Sequence, residues 1–204
     1  MEITALDLIP GALALETDAF RALLARPAYG LRGALLIVFL SGVSTAFGQS
    51  VMLFANHVSP RRFVASLLVQ ALLFVVTFLV WAATVWGVAT LLMGRPAAFA
   101  AAAAAIGLAY APQLFSFLVL TPYLGNGIGW VLSLWTLLAT LQATSVTFDL
   151  TRFETVLVAL AGWLVAQVLQ RTIGRPVARV GRWLRHQVAG KELRPFEPPG
   201  LGPR

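Results

Sequence analysis

The sequence predicts an all-α fold: a polytopic membrane bundle of about five transmembrane helices, followed by a C-terminal amphipathic helix on the membrane surface. The 204 residues are 59% hydrophobic and only 11% charged, whereas soluble domains are about 45–50% apolar and about 25% charged. A soluble chain of this length would need more polar cover for its surface. The apolar residues also run continuously over helical, bilayer-length stretches, and short connections rich in Pro, Gly, Asn and Asp separate these stretches.

Five apolar runs reach the roughly 20 residues that a helix needs to cross a bilayer core about 30 Å thick. They cover residues 33–55, 63–92, 97–120, 128–148 and 153–173. The second run is longer than a bilayer core, so we expect it to tilt. Pro112 should kink the third helix because it cannot donate a hydrogen bond to the preceding turn. A transmembrane β-barrel, the structural alternative, needs alternating segments of about ten residues, and these runs are continuous and longer.

The two ends of the chain are predicted to lie outside the membrane domain of residues 31–174. Residues 1–30 form a pre-membrane segment with a short amphipathic helix over 17–24, in which Asp18 is a cap or a first-turn acid. Residues 190–204 are rich in proline and read as a flexible tail.

Between the membrane domain and the tail, residues 175–189 predict a basic amphipathic helix. Apolar residues recur there at helical spacing, and Pro176 suits a first turn. The residues expected to contact anionic lipid head groups are Arg175, Arg179, Arg182, Trp183 and Arg185. The alternative is a solvated helix that only satisfies the positive-inside rule.

The formal charge of +7 would suggest nucleic acid as a partner of a soluble protein. In a membrane protein, basic residues near span ends meet lipid head groups instead, so no nucleic-acid partner is expected. No ionisable residue lies well inside an apolar run, which lowers the odds of a proton-coupled pump.

No catalytic set is recognisable, and neither a metal nor a cofactor is expected. Asp149 and Glu154 could be proposed as an acid–base pair, but a helix-boundary role is favoured, with Asp149 or Thr151 capping the fifth helix. His57 and His186 have no further ligand at metal-binding spacing. The sequence therefore predicts a protein that is not an enzyme.

Five glutamines lie within the apolar runs, where a buried amide must find a hydrogen-bond partner. They are Gln49, Gln70, Gln113, Gln142 and Gln167. Hydrogen bonding between helices is the favoured interpretation, and a polar path for a small molecule is the alternative. Small residues support the packing interpretation. They are Ser41, Gly42, Ser44, Thr45 and Gly48 on the first helix, and Thr140, Thr144 and Thr147 on the fourth.

The stretch 106–112 and the connection 121–125 carry a family resemblance. Gly107, Tyr110 and Pro112, followed by Pro122 and Gly125, resemble the pattern in the third helix of the Yip family, membrane proteins named for interaction with Ypt/Rab GTPases. Residues 20–27 look like the pre-membrane segment of bacterial members. The resemblance implies five membrane helices and covers roughly residues 18–174.

One departure from that family limits what the resemblance implies. Eukaryotic members have a longer acidic N-terminal region with a Tyr-Gly-Pro motif, and residues 1–30 have no counterpart. Rab binding is therefore not carried over, and a bacterial-type member in the inner (plasma) membrane is expected. Basic residues are more numerous on the side of the C-terminal helix, so the positive-inside rule favours a cytoplasmic C-terminus, although the eukaryotic relatives imply a cytoplasmic N-terminus.

The functional prediction is a scaffold or accessory subunit that organises partner membrane proteins or lipid, with a membrane-protein partner or a homo-oligomer. The alternative is a small transporter or permease component whose polar path is lined by the glutamines. An intramembrane enzyme is disfavoured because the chain offers no nucleophile–base pair.

Overall fold

The computed structural model describes residues 4–25, 27–48 and 60–165 of the chain. Every regular element of this part is helical, which confirms the all-α prediction. The α-helices are α1 (Ile9–Leu13), α2 (Thr17–Leu24), α3 (Pro27–Gly48), α4 (Pro60–Gly87), α5 (Phe99–Leu108), α6 (Gly125–Phe148) and α7, described over residues 152–165. A π-helical segment, Val88–Leu92, continues α4, and a 3₁₀ segment, Ala111–Leu120, follows α5.

Four stretches of the described part are long and apolar enough to cross a membrane, and the chain is an integral membrane protein. They are Gly30–Gly48, Phe63–Leu92, Phe99–Leu120 and Gly125–Phe148. The first stretch begins before the expected residue 33 because α3 already begins at Pro27. The fifth expected span begins within α7, but its residues 166–173 lie outside the described residues. So do the predicted surface helix over 175–189 and the tail over 190–204.

Successive spans run in opposite directions, which gives the bundle two ends. The Arg95 end holds the connection between the π segment and α5, together with the start of α7. The Gly125 end holds the start of α6. At the Arg95 end, Arg95 forms an ion pair with Glu154 of α7, with its Nη2 atom 3.4 Å from Glu154 Oε1. The indole N–H of Trp86 donates to the Ala97 carbonyl at 2.8 Å, so this connection is held at both of its sides.

Small side chains bring the central helices close together. α3 packs against α4, α5 and the 3₁₀ segment. At Gly42, a Cβ atom would lie 3.0 Å from the Cα atom of Ala71 in α4. The alanines of α5 from Ala102 to Ala105 are all buried. Without a solvent-driven hydrophobic force in lipid, such close backbone approach is what lets membrane helices gain packing energy.

The segment of residues 4–24, called here the N-terminal wedge, packs into the bundle rather than lying outside it. α2 covers the predicted 17–24 range. Phe20 of α2 and Ala12 of α1 are fully buried, in the same cluster as Ala105 of α5 and Ala139 of α6. The expectation of an external segment is therefore wrong. The sequence could not indicate this packing, because the buried residues of the wedge are separate small and aromatic positions that do not form a continuous apolar run.

Two side chains of α6 hold the wedge. The indole N–H of Trp135 donates to the Leu13 carbonyl at 2.9 Å. The side-chain amide of Gln142 donates to the Thr17 hydroxyl. Trp135 lies ten residues from the start of α6, about 15 Å along it. The wedge thus descends along α6 to near the middle of that helix and returns towards the Arg95 end, where α3 begins.

The start of α7 is a capping box. The backbone N–H of Thr151 donates to Glu154 Oε2 at 2.8 Å, and the Glu154 N–H donates to the Thr151 hydroxyl at 3.3 Å. Of the two caps left open by the sequence, Thr151 takes the role. Asp149 instead ends α6 in a left-handed conformation, with φ of 50°.

Candidate functional site

The third span changes helix type part-way along its length. α5 ends at Leu108, and the chain continues as a 3₁₀ helix from Ala111 to Leu120. Pro112 is its second residue and brings no backbone N–H. 3₁₀ helices rarely exceed three or four residues because their hydrogen bonds have poorer geometry. The predicted kink at Pro112 thus corresponds to a ten-residue 3₁₀ segment, whose backbone needs hydrogen bonds from elsewhere.

Two serines of α3 supply those hydrogen bonds. The Ser41 hydroxyl donates to the Tyr110 carbonyl at 3.1 Å. The Ser44 hydroxyl donates to the Leu114 carbonyl at 2.8 Å and accepts from the Phe117 N–H at 2.9 Å. Ser44 therefore bridges the two backbone groups that one 3₁₀ turn would pair. The small residues predicted on the first helix therefore do more than allow close packing, because two of them form hydrogen bonds with the backbone of the neighbouring segment.

The residues that carry the family resemblance surround this junction. The Tyr110 ring makes edge-on contacts with Phe78 and Phe74 of α4, at centroid distances of 5.3 and 5.8 Å. Gly107 lies against α3, where a Cβ atom would be 2.9 Å from that of Ala34. Pro122 is exposed in the connection that follows.

Gly125 begins α6 and is buried against the end of the 3₁₀ segment. A Cβ atom at Gly125 would collide with the Val119 carbonyl oxygen. The chain can therefore double back closely between the third and fourth spans only with glycine at this position.

Gln113 forms a half-buried hydrogen-bonded cluster between the 3₁₀ segment and α6. Its side-chain N–H donates to the Thr136 hydroxyl at 3.1 Å, and its carbonyl oxygen accepts from the Ser116 hydroxyl at 2.7 Å. Thr136 in turn donates to the Leu132 carbonyl at 2.8 Å. The amide retains a second N–H beyond these contacts. Gln113 thus links two spans, as the packing interpretation expected, and still has donor capacity.

A cavity of about 380 Å³ lies beside this cluster. It is named here the seam cavity, and it is enclosed by the end of α3, the 3₁₀ segment and the first third of α6. Its lining consists of Thr45, Gly48, Gln113, Ser116, Val119, Gly125, Asn126, Gly129, Trp130, Leu132 and Ser133. Amides and hydroxyls share this wall with apolar groups, and the lining residues that the structure describes include no ionisable side chain.

Thr45 is the unsatisfied group of the seam cavity. Its hydroxyl oxygen is buried and has no hydrogen-bond partner among the residues that the structure describes. A buried hydroxyl without a partner costs roughly 1–3 kcal/mol on the scale of protein mutations. The Thr45 side chain lines the cavity, so a rotation that turned its hydroxyl towards a polar group there would remove that cost.

The other glutamines lie elsewhere. Gln142 lines a second cavity, of about 430 Å³, between α2 and the end of α6, together with Arg21, Asp149 and Arg152. Gln70 is half-buried on α4 and makes no hydrogen bond within the described part of the chain. Gln49 and Gln167 lie outside the described residues, as do the predicted head-group contacts Arg175, Arg179, Arg182, Trp183 and Arg185.

The two cavities do not meet within the described residues. The part of α6 between them is closed by Ala139, Thr140 and Ala143, which are buried against the core. The three threonines singled out on the fourth helix donate to carbonyls of their own helix. Their acceptors are Thr136 O for Thr140, Thr140 O for Thr144 and Ala143 O for Thr147.

Sequence reasoning missed part of the seam cavity. Ser116, Asn126 and Ser133 were not singled out, because a single hydroxyl or amide in an apolar run is common. Thr45 was noted only as a small residue. One signal could have found them: Pro112, Gln113 and Ser116 fall in one span, opposite a helix that is rich in serine and threonine.

The chemistry available at this site is neutral hydrogen bonding. The described residues contain no cluster of three or more His, Cys, Asp or Glu side chains that could hold a metal ion. No protein-family profile matches the sequence, no curated protein matches it, and no solved structure matches its fold.

Proposed function

We propose that the chain is a non-enzymatic membrane protein that acts as a scaffold or accessory subunit, organising partner membrane proteins or lipid. The observation that carries this proposal is the weak enclosure of the second span. Only 11% of its most apolar stretch is buried, against 39–56% in the other three spans. α4 packs through Ala71, Phe78 and Ala82. None of the described helices covers its outer face, which leaves room there for a further helix.

Lipid alone could cover the apolar part of that outer face, because Val64, Leu68, Leu72, Val76 and Val80 are all apolar and exposed. Gln70 is different. It is half-buried within the same span and makes no hydrogen bond among the described residues. In hydrocarbon an amide without a partner costs free energy that a second helix can recover. Gln70 therefore favours a protein partner, either a second copy of this chain or another membrane protein.

The test compares two α4 variants. Gln70→Leu should weaken association, because it removes the amide and leaves an apolar face. Thr77→Val is the matched control, since the exposed Thr77 hydroxyl is already bonded to the Leu73 carbonyl at 2.9 Å. Association is measured as Förster transfer between labelled copies in lipid vesicles, and as the mass of the complex purified in mild detergent. A strictly monomeric chain in both assays, or equal association of both variants, would refute the proposal.

A small transporter component is the second candidate, and the seam cavity is the observation that favours it. Gln113 lines that cavity and Gln142 lines the second one, and in this proposal each amide would meet a solute at one end of the bundle. The closed alanine packing between the cavities would have to open. The test is flux of uncharged solutes into proteoliposomes. Gln113→Leu and Gln142→Leu should each abolish flux, and no flux with the unmodified chain would reject transport.

We further propose membership of the bacterial-type Yip family. Two observations support this. Gly107, Tyr110 and Pro112 lie where the third span changes from α-helix to 3₁₀ helix, and Gly125 lies where the chain turns into the fourth span. The family assignment adds no activity to the proposal. A solved structure of an accepted bacterial member with a 3₁₀ segment at the same place would support it, and one with a continuous α-helix would oppose it.

The proposed location is the bacterial inner membrane with a cytoplasmic C-terminus, where the basic residues of 175–189 meet anionic head groups. The chain has no cysteine, so single cysteines report orientation without background. Gly94→Cys marks the Arg95 end, and Gly127→Cys marks the Gly125 end. In this orientation an impermeant maleimide added to intact cells labels Gly94→Cys and spares Gly127→Cys. The reverse pattern would place the C-terminus outside.

A further inference from the structure

We propose that the seam cavity binds the uncharged, hydroxyl- and ester-bearing backbone of a membrane lipid of the diacylglycerol type. The site goes beyond the scaffold role, since it lies between α3, the 3₁₀ segment and α6 and does not involve α4. Four properties of the cavity support this ligand class: its charge, its free hydrogen-bonding groups, its size and the position of its mouth.

The charge of the lining selects a neutral ligand. None of the described residues that line the seam cavity is ionisable. A phosphate or an ammonium group placed there would lose hydration without gaining an opposite charge, which is costly in a membrane protein. Hydroxyl and ester groups need only hydrogen-bond partners, and these the cavity has.

Two side chains of the lining have hydrogen-bonding capacity to spare. The Thr45 side chain lines the cavity, and its hydroxyl is buried and unpaired among the described residues. A rotation that turns this hydroxyl towards the cavity would let it donate to an ester carbonyl or accept from a hydroxyl. Gln113 uses one N–H for Thr136 and its oxygen for Ser116, which leaves its second N–H as a donor. A glycerol backbone presents one hydroxyl and two ester carbonyls, which suit such a pair.

The volume and the mouth suit a lipid rather than a free solute. A cavity of about 380 Å³ lies at the small end of the range of about 300–1,000 Å³ that is typical of ligand pockets, so it can take the glycerol backbone while the acyl chains remain outside. Trp130 lines the mouth and is 80% exposed. It lies about 8 Å along α6 from the Gly125 end, and tryptophan concentrates at this interfacial depth.

Two glycines of α6 provide a matched pair of variants. A Cβ atom at Gly129 would meet only Val119 Cγ2, at 3.7 Å, so a leucine there extends into the seam cavity without striking backbone. A Cβ atom at Gly127 would have no atom within 4 Å, and this exposed position is two residues away on the same helix. Gly129→Leu should therefore fill the cavity, whereas Gly127→Leu should leave it open. Both variants replace a glycine of α6 by leucine, so they change the helix propensity equally.

The experiment measures binding to the full chain in detergent micelles with three radiolabelled probes: dioleoylglycerol, glycerol and dioleoylphosphatidylglycerol. We expect saturable dioleoylglycerol binding to the unmodified chain and to Gly127→Leu, and at least tenfold weaker binding to Gly129→Leu. Thr45→Val keeps the side-chain shape and should weaken binding by about three- to tenfold, the usual effect of one lost hydrogen bond. This variant keeps the proposal testable if Gly129→Leu fails to fold.

Four results would overturn the proposal. The first is that dioleoylglycerol does not bind saturably to the unmodified chain, and the second is that it binds equally to Gly129→Leu and Gly127→Leu. The third and fourth are that glycerol, or the charged dioleoylphosphatidylglycerol, binds as strongly as dioleoylglycerol. Förster transfer between copies, measured in the same preparations, separates this proposal from the scaffold role. Gly129→Leu should leave that transfer unchanged, and Gln70→Leu should leave lipid binding unchanged.

Discussion

Replacing Ser44 by alanine tests whether α3 holds the 3₁₀ segment in place. The Ser44 hydroxyl donates to the Leu114 carbonyl at 2.8 Å and accepts from the Phe117 N–H at 2.9 Å. Alanine removes both hydrogen bonds and adds no bulk. The Leu114 carbonyl and the Phe117 N–H then lose the partner that α3 supplies.

The expected loss of stability follows from those two groups. Leaving a buried donor or acceptor unpaired costs about 1–3 kcal/mol, whereas hydrogen bonds between membrane helices measure about 0.6 kcal/mol on average and about 1.7 at most. The membrane values are the better guide, because the unfolded chain also finds partners within the micelle. Because alanine removes two such hydrogen bonds, we expect Ser44→Ala to lower the free energy of unfolding by about 1–2 kcal/mol.

The assay is reversible unfolding in mixed micelles, followed by circular dichroism as the fraction of denaturing detergent rises. Ser133→Ala is the control, because the exposed Ser133 hydroxyl bonds only to the Gly129 carbonyl of its own helix. It should change stability by less than about 0.5 kcal/mol. Equal losses in the two variants would refute the idea that Ser44 supports the 3₁₀ segment.

Three further changes probe other parts of the structure. Gly125→Ala places a Cβ atom against the Val119 carbonyl. We therefore expect the free energy of unfolding to fall by at least about 2 kcal/mol in the same assay. An unchanged free energy would show that the turn tolerates a side chain at this position. Trp135→Phe removes the hydrogen bond to the Leu13 carbonyl; amide hydrogen exchange in the wedge should accelerate severalfold while exchange in α5 stays unchanged. The backbone N–H and the hydroxyl of Thr4 both donate hydrogen bonds to the Asp7 carboxylate, and these bonds lower the pKa of Asp7. This turn is therefore formed above the usual carboxyl pKa of about 3.9 and is lost as the pH falls through the lower folded value, which exchange at the wedge's first amides should report.

The membrane spans could be predicted from the sequence because hydrophobic length is a local property. The runs ending at residues 92, 120 and 148 end where the helical stretches of the structure end. The amphipathic helix over 17–24 could also be predicted, since its apolar residues share one face. In each case the information lies within one segment.

The rest depended on contacts between distant segments. Nothing near Ala12 indicates that it meets Ala105 and Ala139, and so the wedge was expected outside the bundle. Pro112 predicted a break in the third span, but the ten-residue 3₁₀ segment also needs Ser41 and Ser44, which lie about 70 residues earlier. Gln113 was singled out correctly as an intramembrane polar residue, whereas the cavity beside it depends on how three helices diverge.

The position of the wedge has a consequence for the order of assembly in the cell. Residues 4–24 are synthesised before the membrane spans, yet their partners Ala105, Trp135 and Gln142 follow more than 80 residues later. The wedge must therefore wait at the membrane surface until α5 and α6 have been inserted, and docking it is a late step of biogenesis. During this interval Phe20 can meet Ala34 and Ile37 of α3, but the part of its core that α5 and α6 supply is still missing.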